Sequence, residues 1–360
     1  MQFRRLPRTD IDMSVVAYGP FRFAAGAGHG PAEGVRALHA AIDGGVNAIH
    51  SSARYGSYPL LVEALARHPK RRELNHIVKV VSPDHDESAF DAESFRRQVD
   101  EALTALGVDR LAVVQHLHRG PAAESVIYDS GGDEGRVPLA DSVSEGVLEV
   151  TDQLKSEGKI GTIASFPHTL SYAERILPAG FDGLVHSFGL LEPEVLDLLD
   201  DLQARDMAFI GIRPLLQGLV TDHGVARDVL APKHDFRDSR WDPWYDQLDL
   251  LRQKLGNDPE NWTRFAIRFS ITRETVTTNV IGMDTVEHVE VALAAVDDGP
   301  LPASVVAAAR EAAARVGPIP KSTLDAPHVW TTRTVAAAVL RRVRRAGSSI
   351  AGRQRAHSAH

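Results

Sequence analysis

Short runs of β-branched and aliphatic residues recur along the chain, each followed by a longer stretch whose apolar positions fall three or four residues apart. The runs predict strands over Ser14–Tyr18, Asn47–Ser51, His76–Val81, Leu111–His118, Ile160–Phe166, Gly183–Phe188, Ala208–Ile212 and Asn279–Met283. Several are apolar almost without interruption, the pattern of parallel strands covered on both faces. In Asp91–Leu106 the residues Phe95, Val99, Ala102, Leu103 and Leu106 keep helical spacing, and Asp91 is placed to cap the first turn. Ser144–Lys155 and Pro193–Ala204 read the same way, the second with Pro193 early in its first turn. Strand and helix alternating about eight times specify an α/β protein with a parallel sheet, most economically closed into a (β/α)8 TIM barrel. A doubly wound open sheet fits the alternation nearly as well.

Two stretches interrupt the rhythm. Residues 119–141 contain Ser130-Gly131-Gly132-Asp133-Glu134-Gly135, and residues 222–242 are rich in Pro, His, Asp and Arg and lead into Trp241, Trp244 and Tyr245. Both follow strands, so in a barrel both belong to the C-terminal mouth, where active sites are built. The three aromatics fit a substrate lid, a partner surface or simple core packing. The barrel reading assigns residues 1–330 to one domain and leaves 331–360 as a basic tail.

That tail changes the charge picture. The chain carries a net charge of −8, yet seven arginines and no acid fall between Thr331 and His360, so the preceding 330 residues hold 33 basic and 48 acidic side chains, or −15. An acidic body of this kind repels nucleic acid. The tail reads first as a solvated terminus, and second as a short amphipathic helix along Val335, Val339, Leu340 and Val343 that would dock on an acidic surface. The absence of cysteine excludes disulfides, thiolate metal sites and a cysteine nucleophile. No apolar run reaches the ~20 residues of a membrane span, and Met1-Gln2-Phe3-Arg4-Arg5 opens without the apolar core of a signal peptide, so the expected compartment is the cytoplasm.

A series of short motifs resembles the aldo/keto reductase family. Phe3-Arg4-Arg5-Leu6-Pro7-Arg8-Thr9 looks like its N-terminal hairpin, and Gly44-Gly45-Val46-Asn47 with Arg54-Tyr55-Gly56-Ser57 like its second-strand signature. Ile77-Val78-Lys79-Val80, then Leu106-Gly107-Val108-Asp109 with Gln115-His116-Leu117-His118-Arg119, are similar to its third and fourth strands. Glu157-Gly158-Lys159-Ile160, Phe181-Asp182, Arg213-Pro214-Leu215 with Gly218-Leu219, and Val280-Ile281-Gly282 continue the series in order, over about residues 1–295. The resemblance implies a barrel that interconverts a carbonyl and an alcohol with a nicotinamide dinucleotide. It makes Tyr55 the proton donor and Lys79 the cation that tunes it, a need set by a phenol that titrates at ~10 when free.

The same resemblance exposes departures. The family's aspartate falls at His50, and an imidazole supplies no fixed negative charge, so the Lys79 pKa is expected to fall. The family histidine falls on Leu117 by spacing, and a one-residue bulge brings His118 into its place; otherwise His116 and His118 line a polar mouth without a role. For the dinucleotide the resemblance points to Ser165, Ile212, Arg213, Leu215, Gly218, Gly282, Asp284 and His288. Phe166 follows Ser165 where the family has asparagine, Val185 replaces a glutamine, and Ala292 an adenine-side asparagine. Ile212 stands where a tyrosine stacks on the ring, and Asp284 where a basic residue meets the 2′-phosphate of NADP. A carboxylate repels phosphate but accepts hydrogen bonds from ribose hydroxyls, so the expectation is NAD(P)H with NADH favoured over NADPH, or no dinucleotide. Arg213 is read either as an anion anchor or as the partner of a local acid such as Asp284. Three other readings stay open: zinc held by His50, His118, His168 or His186 with a carboxylate; proton abstraction by a neutral Lys79 with Tyr55; and a catalytically silent barrel that binds through its long loops.

Overall fold

A computed structural model describes residues 1–21, 23, 30–84, 87–120, 136–227, 236 and 238–319. The interior of the first long loop, much of the second and the whole arginine tail lie outside these. One unit, Met1–Leu324, carries every element below; Asp325–His360 forms the other.

Eight parallel strands close into a barrel: β3 (Val16–Tyr18), β4 (Ala48–Ser51), β5 (Asn75–Val81), β6 (Leu111–Leu117), β7 (Ile160–Ser165), β8 (Gly183–Ser187), β9 (Ala208–Ile212) and β10 (Val276–Ile281), with β10 pairing β3 to complete the ring. The eight expected strands are present, and closure decides against the open sheet. Two differ in extent by more than one residue. The first run breaks at Val15 because Asp12–Ser14 belongs to a hairpin, and the last starts three residues early, at Val276.

That hairpin, β1 (Phe3–Arg5) with β2 (Asp12–Ser14), pairs antiparallel at the N-terminal end of the barrel. Leu6, Ile11 and Met13 from it join Ala17, Ala48, Ile77, Val113, Val185, Ala208 and Ile210 in the apolar filling of the lumen. A second, larger apolar layer lies between the strands and the helices: α1 (Pro31–Asp43), α2 (Tyr58–Ala66), α3 (Ala92–Leu106), α4 (Ala140–Ser156), α5 (Leu170–Ile176), α6 (Leu196–Ala204), α7 (Asp242–Leu255), α8 (Trp262–Ser270), α9 (Val286–Asp297) and α10 (Ala303–Val316).

Helix α3 follows the expected pattern closely. The Asp91 carboxylate accepts from Ser94 N at 2.9 Å, the five apolar positions are buried, and Gly107 ends the helix at φ 67°, a left-handed conformation that suits glycine. Helix α6 corrects one expectation. It begins at Leu196, and Pro193 lies in the preceding turn, where its carbonyl accepts from Leu196 N. The aromatic cluster of the second loop is not a surface: Trp241, Trp244 and Tyr245 are 0%, 0% and 3% exposed and pack into the helix layer.

Candidate active site

Alternation along β5 directs Ile77, Lys79 and Val81 to the lumen, and the parallel register sets Lys79 beside Gln115 of β6 and Gln115 beside Ala164 of β7. His50, at the end of β4, faces the same space. Its Nε2–H donates to the Gln115 carboxamide oxygen at 2.9 Å, which fixes the ring proton on that nitrogen. Gln115 is completely buried, and sequence reading passed over it as part of a motif. The signal was its inward position, one strand across from Lys79.

Tyr55 enters from the loop after β4. Its amide donates to Ser52 O and its carbonyl accepts from Tyr58 N, a turn that leads into α2. The Lys79 ammonium lies 5.1 Å from the Tyr55 ring centroid and 5.5 Å from that of Phe166, the residue just after β7. Phe21 meets Tyr55 edge-on at 4.9 Å and is half exposed, and His50 lies 6.0 Å from it, ring to ring. Phenol, amine and imidazole therefore share one rim, walled by two phenylalanines.

No carboxylate lies within ion-pair distance of Lys79 among the described residues. Burial brings its pKa down to about 7, and the Arg119 charge pushes the same way. Taken over its whole side chain, Lys79 is only partly buried. His50 is driven down to about 3, first by burial and then by Lys79, so it is a neutral hydrogen-bonding group at every ordinary pH.

The two neighbouring histidines of β6 separate. His116 turns outward, stacks on Phe181 at 6.1 Å and holds Ser82 O, so it lies in the helix layer and not in the mouth. His118 comes just after the strand. Its Nδ1 shares a 2.5 Å hydrogen bond with the Tyr172 hydroxyl of α5, while its Nε2 is buried without a protein partner. His168 packs on Phe166 at 5.2 Å, and burial first, then the charges of Arg136, Arg119 and Lys79, lower its pKa well below the usual imidazole value. Among the described residues no three His, Asp or Glu side chains form a group able to hold a metal ion.

The residues expected along a dinucleotide are spread around the opposite side. Ser165 alternates with the inward Ala164 and Phe166, which turns its hydroxyl toward the helix layer. Ile212 ends β9 in the lumen, nearly buried. Arg213 is paired with Glu192 at 3.1 Å, and not with Asp284; Glu192 is 1% exposed. The loop that follows is tightly wound, with positive φ at Arg213, Leu216, Gln217 and Gly218, and Leu215 O accepts from Gly218 N and Val220 N. Gly282 is exposed at the rim beside Gly19. At the start of α9, Asp284 N donates to His288 Nδ1, Thr285 caps the helix, and Val286 N donates to a Glu33 carboxylate oxygen at 3.1 Å. A helix N-terminus otherwise suited to phosphate thus carries two carboxylates, Glu33 and Asp284. Hollows along α3 near Glu93 and Arg97, and at the N-terminal face near Arg8 and Arg110, are open surface away from these groups.

An eight-stranded parallel barrel closed over an antiparallel N-terminal hairpin defines a (β/α)8 barrel. Residues 16–314 match the model of the aldo/keto reductase family, and the chain belongs to that family. Among characterised relatives, an L-galactose dehydrogenase of Arabidopsis thaliana is 24% identical over 315 residues, covering 83% of this chain and 89% of its own length. A 6-dehydroglucose reductase of Novosphingobium aromaticivorans is 32% identical over 130 residues, 32% of this chain and 41% of that protein. Among solved structures, the holo form of an aldo-keto reductase from Bacillus halodurans superposes with a TM-score of 0.65 at 17% identity, covering 87% of this chain and 96% of the other. A glycerol dehydrogenase from Gluconobacter oxydans gives 0.63 at 21% identity, covering 88% and 97%. At such identities the structures speak for the fold alone. No helix among the described residues is long and apolar enough to cross a membrane.

Proposed function

We propose that the protein interconverts a small aldehyde or ketone and its alcohol, with Tyr55 exchanging the proton on the substrate oxygen. The observation that carries this reading is the meeting of the Tyr55 ring and the Lys79 ammonium at 5.1 Å on the C-terminal rim. An ammonium at that distance stabilises phenolate and so makes the phenol a better acid. His50, held by Gln115, takes the place of the usual carboxylate and leaves Lys79 without an ion-pair partner, so the cation is fully present only below about pH 7. His118 is the orienter: with Nδ1 committed to Tyr172, its remaining nitrogen is the one to meet a substrate oxygen.

A bound nicotinamide dinucleotide would supply or accept the hydride. Ile212 would hold its ring and Asp284, with Glu33, the adenosine ribose. Those carboxylates favour NADH over NADPH. The sugar-acting relatives support a polyhydroxylated carbonyl compound as substrate.

The test is titration of the purified protein with each dinucleotide, followed by quenching of nicotinamide fluorescence. NADH is expected to saturate, with NADPH at least about tenfold weaker, one unfavourable charge contact being worth on the order of 1 kcal/mol or more. Equal or tighter NADPH binding removes the preference. Saturation by neither removes the oxidoreductase reading.

A further inference from the structure

Lys79 is unlike the other described lysines. Lys155 pairs with Asp182 at 2.6 Å, Lys159 with Asp100 and Glu157, and Lys254 with Glu311, whereas Lys70 is exposed to water. Lys79 instead lies between two aromatic rings on the lumen side of β5, with Arg119 as its principal charged neighbour and the His50–Gln115 hydrogen bond where an acid would neutralise it. The residue as a whole is only partly buried. Desolvation and a neighbouring cation are the two conditions that turn a lysine into a nucleophile.

We propose that Lys79 is a covalent capture site: its amine condenses with an aldehyde or unhindered ketone entering the mouth and holds it as an imine. The nitrogen lone pair attacks the carbonyl carbon, the carbonyl oxygen takes a proton from the Tyr55 hydroxyl, and a carbinolamine forms. One nitrogen proton returns to the Tyr55 phenolate; Tyr55 then protonates the carbinolamine hydroxyl, which leaves as water, and takes back the remaining nitrogen proton, leaving the C=N bond, so one water is released per imine and nothing is oxidised or reduced. The step needs no dinucleotide and stands apart from the hydride chemistry proposed above. Magnitudes favour it: a group titrating at about 7 is half neutral at that pH, whereas a lysine at its usual ~10.4 is neutral in roughly one molecule in a few thousand.

The full-length protein, without any dinucleotide, is incubated at pH 7 with glycolaldehyde and sodium cyanoborohydride, which reduces the imine to a stable secondary amine. Peptide mapping by mass spectrometry then gives a labelling rate for each lysine. The expected result is labelling of Lys79 at least about tenfold faster than Lys70, with a pH dependence whose midpoint lies near 7. His50→Asp restores an acid and is expected to slow Lys79 labelling at least about tenfold with Lys70 unchanged, while His50→Asn, which supplies no charge, leaves it within about twofold. Labelling of Lys79 no faster than Lys70, or a midpoint above about 9.5 in the unmodified protein, overturns the proposal even if the aspartate variant does not fold. An unchanged Lys79 rate in a folded His50→Asp protein does the same.

Discussion

At the scale of single residues, the proposal that His50 stands in for a carboxylate governs what is expected of the mouth. Lys79 loses its proton at about pH 7, so the cation beside Tyr55 disappears as pH rises through that value. Carbonyl reduction is therefore expected to fall above about pH 7. His50→Asp is expected to carry the falling limb upward by about two pH units and to raise turnover at pH 8 roughly tenfold, read from kcat profiles of both proteins. Identical profiles would separate Tyr55 chemistry from the Lys79 charge. The linkage to stability has a definite sign. Lys79 is depressed in the folded state, so the unfolded chain binds the extra proton between about pH 7 and ~10.4, and folding gains stability as pH rises across that window and loses it on the way down. His50 acts in the same sense, but between about 3 and ~6.5. Sequence singled out Tyr55 and Lys79 from local motifs and His50 from its spacing to Tyr55, and the structure brings the three together. Gln115 and Phe166 were not legible as partners, since their roles come from register and pleat across strands that are distant in the chain.

At the scale of elements, strands were easier to read than loops for a physical reason. A strand buried on both faces must be apolar almost throughout, and β5, β6 and β9 show that pattern directly. A polar loop can still bury its few aromatics, and nothing local tells a lid from a core plug. Trp241, Trp244 and Tyr245 illustrate this: they follow a charged stretch, yet Phe236 packs edge-on against Trp241 at 5.1 Å, and the Tyr245 hydroxyl donates to Gly224 O at 2.5 Å beneath the Arg227 guanidinium. The second loop is thereby anchored to α7. Trp244→Ala removes a fully buried indole and is expected to cost about 3–5 kcal/mol, measured by urea denaturation. A cost below about 1 kcal/mol, with altered substrate KM, would instead mark the cluster as part of a mobile lid. The histidines at 116 and 118 show the same limit: His116 lies within β6 and faces Phe181, while His118 lies just past its end and reaches Tyr172, a difference that two-residue alternation does not predict.

At the scale of the whole molecule, the barrel divides stability from chemistry along its axis. The floor is closed by the β1–β2 hairpin, where Leu6 and Met13 are fully buried in the lumen and Asn47 stitches the hairpin to β4 through Ser14 N and Asp12 O. The other end carries the polar groups: His50 and Lys79 lie in the C-terminal halves of their strands, and Tyr55, His118 and His168 lie beyond the ends of theirs. In this architecture the N-terminal face serves stability and the C-terminal face serves function. Met13→Ala empties part of the floor and is expected to cost about 2–5 kcal/mol in urea denaturation. Because Ile77 and Val113 stand between Met13 and the Lys79–Gln115 pair, the midpoint of Lys79 labelling by aldehyde and cyanoborohydride should stay near 7 in that variant. A midpoint that moves by more than about one pH unit would mean that the apolar filling transmits strain from floor to rim, and that burial of the amine depends on the packing of the entire lumen. The contrasting case is His50→Asp, which acts on the rim alone and is expected to move the midpoint while changing the urea transition far less than the loss of the methionine side chain does.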